Sequence, residues 1–194
     1  MTRGEDRKQS ILAVGLDMAS EIGLEAITIG TLADETGMSK SGLFAHFKSK
    51  ENLQIEILAY AGSSFTAKVV TPALKTTAGI PRISALVENW TNWSGALPGG
   101  CIFVTASTEF SDRHGKVRDY LLKQQENWIN CLRRIAESGI RTGDLKPDID
   151  VDQFAYDLYS MLLGFYHYYK LLNDARSDNH QKKSFARLLE HYSL

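Results

Sequence analysis

The chain has 194 residues, 43% hydrophobic and 23% charged, an ordinary soluble composition on a chain long enough to bury a core. Its 22 basic and 23 acidic residues give a net charge of −1, so a uniformly basic nucleic-acid coat is excluded and any such surface has to be local. No run of about 18 apolar residues exists to span a membrane, and Cys101 and Cys131 are too few and too far apart for a disulfide framework or a zinc cluster.

Met1 to Ser10 is polar and charged, without the apolar stretch of a secretion signal, and the protein is expected in the cytoplasm with both thiols reduced. Leu12, Gly15, Leu16, Ala19 and Ile22 then repeat at helical spacing up to a stop at Gly23. Thr28 can cap a short second helix carrying Ile29, Leu32, Ala33 and Thr36, broken by Gly37. Ser39 can cap a third, very short helix reaching about His46, and Ser49 a fourth running through Leu53, Ile57, Tyr60 and Phe65. Pro72 to Pro81 reads as a connection. Ile83, Leu86, Val87, Trp90, Trp93 and Leu97 share one helix face, and Pro98-Gly99-Gly100 breaks it.

Cys101 to Phe110 is apolar and reads as helix from its surroundings. A long helix follows, with Val117, Leu121, Gln124, Trp128, Leu132 and Ile135 in phase, and Gly143 to Pro147 is a loop. The next helix, about Val151 to Leu172, is apolar on two sides. Phe154, Leu158, Met161, Phe165, Tyr168 and Leu172 make one seam; Ala155, Tyr159, Leu162, Tyr166 and Tyr169 make another. Such a helix needs two covers, its own domain and a second subunit. The first seam, with Phe185, Leu188, Leu189 and Tyr192 of a last amphipathic helix, is the expected dimer interface. The fold class is therefore all-α, with about nine helices.

Between Thr36 and Lys50 stand Lys40, Lys48, Lys50 and His46 with no acid, and Arg3, Arg7 and Lys8 add charge near the start. This local basic face suits a protein that meets phosphates with one surface. Residues 28–53, TIGTLADETGMSKSGLFAHFKSKENL, supply the parts of a helix-turn-helix. Ala33 lets two helices cross closely, Gly37 makes the turn, and Met38, Leu43 and Phe47 anchor the second helix. Its other face offers Ser39, Lys40, Ser41, Phe44, Ala45 and His46 to DNA.

From Ile11 to Leu53 the chain resembles the TetR family of bacterial regulators. The block GLFAHFKSKENL is similar to that family's Gly-x-Leu-Tyr-x-His-Phe-x-x-Lys-Glu signature. The resemblance implies a helix-turn-helix domain over residues 1–48 and an effector-binding and dimerisation domain over 49–194. It implies that Thr28 bonds a phosphate at a helix N-terminus and that Lys40, Ser41 and Gly42 face the major groove beside the cap Ser39. Phe44 and His46 would press on the DNA backbone, and Lys50 would hold a phosphate. Lys48 reads as a solvated charge. Phe44 replaces the family's usual tyrosine, Ala45 a frequent larger aromatic, and Gly30 a frequent base-reading arginine. Each change removes a contact, so specificity is expected to lean on Lys40, Ser41, DNA shape and the Arg3–Lys8 arm.

The function so implied is a sequence-specific transcription regulator. It is a homodimeric repressor released from a palindromic double-stranded operator by a small apolar or aromatic effector, working without cofactor, metal or membrane. Trp93, Phe103, Phe110, Trp128, Tyr159 and Tyr166 are the candidate pocket residues, with a helical core as the alternative use of the same side chains. A constitutive DNA-binding protein, an activator, and an enzyme with an appended helix-turn-helix stay open beside it. Other constellations are weak. Asp148-x-Asp150-x-Asp152 begins like a calcium loop but continues with Gln153 where glycine is needed. His167 lacks a partner at ligand spacing, and His114 with Asp112 and Glu109 makes only a loose acidic group. Cys101, opening a helix, is a candidate redox thiol.

Overall fold

The computed structural model describes residues 3–194; Met1, Thr2 and the side chain of Arg3 lie outside the described residues, and with them the start of the expected DNA-contacting arm. Its elements are α1 (Arg3–Ile22), α2 (Ile29–Thr36), α3 (Lys40–Phe47), α4 (Lys50–Phe65), a π turn (Thr66–Val70), α5 (Thr71–Lys75), α6 (Ile80–Ser94), α7 (Ile102–Phe110), α8 (Lys116–Thr142), α9 (Val151–Lys170) and α10 (Ser177–Tyr192). Counted as one element, the contiguous α4, π turn and α5 leave nine helices among the described residues. The stretch read as a connection is part helical. Pro81 lies in the first turn of α6, where a missing N–H breaks no helical bond, and Pro72 lies at the start of α5, directly after the π turn.

The helices form two compact units. One holds residues 1–66 and 95–125, the other 67–94 and 126–194. The first unit is built on α1. Its stripe of Ile11, Leu12, Leu16 and Ala19 is buried with Leu24, Ile27, Leu32, Leu43, Phe47, Leu53 and Ile57, and with Ile102, Ala106 and Phe110 of α7. Gly15 lets α4 come close: a Cβ there would stand 2.9 Å from Ile57 Cδ1. The turn after α6 approaches α1 more closely still. The Gly99 N–H donates to Ser20 Oγ at 2.9 Å, and a Cβ on Gly99 would lie 1.7 Å from the Ser20 carbonyl oxygen.

In the second unit the face Ile83, Leu86, Val87, Trp90 and Trp93 of α6 is buried, as are Trp128, Leu132, Ile135 and Ala136 of α8. Asp150 caps α9 by accepting from the N–H groups of Asp152 and Gln153, and Asp152 pairs with Arg133. Two of the three aspartates thus serve a helix start. The chain end is tied to the loop before α9: the Lys146 N–H donates to the Tyr192 carbonyl at 2.9 Å, and the Tyr192 hydroxyl donates to Asp157 at 2.6 Å.

The expected dimer seam divides. Phe154, Leu158, Phe165 and Tyr192 are buried inside the protomer, so they give a second subunit almost nothing to touch. Met161, Phe185, Leu188 and Leu189 are half-buried, and Tyr168 and Leu172 are exposed. The side of α9 left uncovered is a third one, on which Tyr156, Leu163 and Leu171 recur at helical spacing with Ser160, Gly164 and His167. Helix α10 occupies the seam that spacing alone assigned to a partner.

Candidate nucleic-acid interface

Each helix boundary of the reading head is set by a local bond. Thr28 caps α2 in a reciprocal box. Its Oγ1 accepts from the Thr31 N–H at 3.0 Å, and Thr31 Oγ1 accepts from the Thr28 N–H at 2.9 Å. Threonine does here what glutamate does in the commoner capping box. Gly37 ends α2 at φ +66°, in the left-handed region open to glycine. Ser39 caps α3 through the Gly42 N–H, and Ser49 caps α4 through the Asn52 N–H. Asn52 also donates to the Phe47 carbonyl, joining the end of α3 to the start of α4.

Leu43 and Phe47 face the core with no exposed surface, while Ser39, Lys40, Ser41, Phe44, Ala45 and His46 face solvent. The structure therefore brings the expected reading residues onto one side of α3. A Cβ on Gly30 would stand 3.9 Å from Lys40 Nζ. The ammonium thus hangs over the position where the family pattern puts an arginine. Phe44 is 55% exposed, an unusual place for a phenyl ring that nothing covers. Gly42 is half-buried, and the Thr28 hydroxyl is already engaged in capping.

Lys50 differs from its expected state. Its ammonium donates to Glu25 Oε1 at 2.8 Å, and Arg113 Nη1 lies 3.0 Å from the other Glu25 oxygen. The bond from Lys50, helped by Arg113, holds the Glu25 carboxyl below its ordinary range. Glu109 accepts from the Glu25 N–H at 3.0 Å, so this acid is a structural acceptor. Among the described residues no group of His, Cys, Asp and Glu is arranged to hold a metal ion. Glu25 and Arg113 were missed in the sequence because only the fold brings them to Lys50.

The candidate pocket residues fall in both units. In the first, Phe103 meets Phe65 edge to face at 5.9 Å, and the Arg113 guanidinium lies 5.2 Å above buried Phe110. In the second, Trp128 meets Tyr159 edge to face at 6.3 Å, Trp93 is buried beneath the Lys68 ammonium, and Tyr166 is buried. A cavity of about 340 Å³ between α9 and α10 is lined by Met161, Phe165, Tyr168 and His180 among others. It contains none of the six candidates.

Residues 11–57 match the family described as bacterial regulatory proteins, tetR family, and residues 79–185, over half of the chain, match the tetracyclin repressor-like C-terminal domain. The chain is 24% identical over 165 residues to the HTH-type transcriptional repressor KstR2 of Mycolicibacterium smegmatis, covering 75% of this chain and 71% of that one. Its fold is similar to that of a TetR family regulator from Cytophaga hutchinsonii (TM-score 0.85, 18% identity, 100% and 98% of the two chains). It is also similar to a transcriptional regulator from Saccharomonospora viridis solved with choline (TM-score 0.82, 20% identity, 99% and 100%). The N-terminal match covers the capped helix-turn-helix, the C-terminal match covers over half of the chain, and the chain belongs to the tetR family of bacterial regulatory proteins, DNA-binding regulators of transcription.

Proposed function

We propose that this protein is a homodimeric repressor that leaves a palindromic operator when a small apolar or aromatic molecule binds its second unit. The observation that carries the DNA half of the reading is the solvent face of α3. Ser39, Lys40, Ser41, Phe44 and His46 lie outward together over a helix seated by buried Leu43 and Phe47. Lys40 and Ser41 read bases, Thr28 and Lys50 hold phosphates, and Phe44 and His46 press on the sugar-phosphate wall. The aromatic density of the second unit supports the effector half, and the similar S. viridis regulator was solved with a small organic cation. Tyr156, Leu163, Tyr168, Leu171 and Leu172, all exposed on or just after α9, form the dimer face. Two heads read half-sites about 34–36 Å apart, and the effector favours another spacing.

The test is a footprint on the DNA upstream of its own gene at fixed salt, with and without candidate apolar ligands. Protection of a palindrome that a ligand relieves is the expected result. Protection indifferent to every ligand would leave a constitutive regulator, and wild-type affinity of Lys40→Ala for the protected DNA would remove the α3 assignment.

A further inference from the structure

Lys50 offers three N–H donors, and one of them is already given to Glu25. The two side chains are 40% and 39% exposed, so neither is locked away from a DNA backbone. A phosphate bound at Lys50 would lie near the Glu25 carboxylate, and two like charges at such range oppose each other. Arg113, from the turn between α7 and α8, holds the second carboxylate oxygen. The carboxylate therefore stays partly neutralised when Lys50 turns away. One anion is shared by two cations, Lys50 at the start of α4 and Arg113 from the turn after α7.

We propose that Glu25 is a built-in competitor of DNA phosphate for Lys50, and that Arg113 sets how strongly it competes. The two residues tune DNA affinity without touching DNA. Loss of the Arg113 contact leaves Glu25 with Lys50 alone, tightens that pair and weakens DNA binding. Loss of the Glu25 charge frees Lys50 and strengthens it. The inference rests on the reading of Lys50 as a phosphate contact given above.

The experiment titrates a fluorescein-labelled duplex of arbitrary sequence, where phosphate contacts supply the binding, with the full chain and its Glu25→Gln, Arg113→Gln, Lys50→Ala, Glu25→Gln/Arg113→Gln and Glu25→Gln/Lys50→Ala variants over a range of salt. Glu25→Gln is near-isosteric, and Arg113→Gln approaches the same link with Glu25 intact. Exposed pairs of this kind support shifts of about two- to fivefold. Expected are tighter binding by Glu25→Gln, weaker binding by Arg113→Gln only while Glu25 is charged, and no effect of Glu25→Gln once Lys50 is alanine. Lys50→Ala should weaken binding and lower the salt slope by about one. If it does so while Glu25→Gln binds equally or more weakly, Glu25 is a bystander or an orienting group and the proposal fails alone. If Lys50→Ala changes neither affinity nor slope, the phosphate reading fails and the competition goes with it.

Discussion

Replacing Gly99 by alanine inserts one methyl group where the fold has no room for it. The new Cβ would stand 1.7 Å from the Ser20 carbonyl oxygen, 2.0 Å from its carbon and 2.4 Å from the Glu21 nitrogen. All three are backbone atoms near the end of α1, so no side chain can swing aside. The turn must move by more than an ångström. Overpacking of this kind costs about 1–3 kcal/mol. The shift also breaks the 2.9 Å bond from the Gly99 N–H to Ser20 Oγ; the hydroxyl keeps its bond to the Asp17 carbonyl, but the N–H loses its acceptor, which adds about 1 kcal/mol. The total is roughly 2–4 kcal/mol, or a fall in Tm of roughly 5–15 °C for a chain of this length. Gly37→Ala is the control. Its φ is +66° but a Cβ there meets nothing within 4 Å, so it carries only the left-handed penalty of about 1 kcal/mol. Guanidinium melts followed by circular dichroism measure both. A Gly99→Ala protein no less stable than Gly37→Ala would refute the close approach of the turn to α1.

Lys40→Ala should weaken binding to the footprinted DNA by about fivefold or more, as expected for losing a base-edge contact of about 1–3 kcal/mol; gel shift at constant salt decides it. Gly30→Arg places a second cation beside Lys40 Nζ, 3.9 Å from the new Cβ, and should change which base pairs are preferred in a selection from random duplexes. Glu25 has a depressed carboxyl, chiefly through its bond from Lys50. Its stabilising effect is full above the ordinary value of 4.5 and fades as pH falls through the lower, folded value. Acid melts of Glu25→Gln should therefore run flatter than wild type below pH 4.5. The double variant Leu163→Glu/Leu171→Glu should sediment as a folded monomer, because both side chains are exposed in the protomer.

The reading head was legible because its signals are local. Thr28, Gly37, Ser39 and Ser49 each make the bond or adopt the backbone angle that their type and position announce, within a few residues of the sequence. Pro98-Gly99-Gly100 was legible as a break, but its purpose was not. Ser20 lies 79 positions away, and glycine carries no pattern that names its neighbour. The link from Glu25 to Arg113 is hidden for the same reason. On α9 periodicity misled for a different one. Spacing showed two apolar seams on the helix without telling which of them α10 would cover, and a third, mixed side was not singled out. Phe154 and Leu158 went inside, and Tyr156 and Leu163 stayed out.

The sparse reading surface and the uncovered side of α9 bear on one quantity. Phe44 lacks the hydroxyl of a tyrosine, Ala45 is small, and Gly30 offers no side chain. On the proposed reading, a single head therefore binds through few side chains, Lys40 foremost. Joining two heads raises affinity through effective concentration by about 10²–10⁴ without any new contact. A substitution far from DNA that separates the protomers should then cost more than any one substitution on α3. Leu163→Glu/Leu171→Glu is expected to bind the operator at least a hundredfold more weakly, against about fivefold for Lys40→Ala. Both are measured by anisotropy on one duplex, with sedimentation confirming the monomer. A monomeric, folded double variant that binds within tenfold of wild type would show that each head carries enough contacts alone, and the view of α3 as a sparse reader would fall.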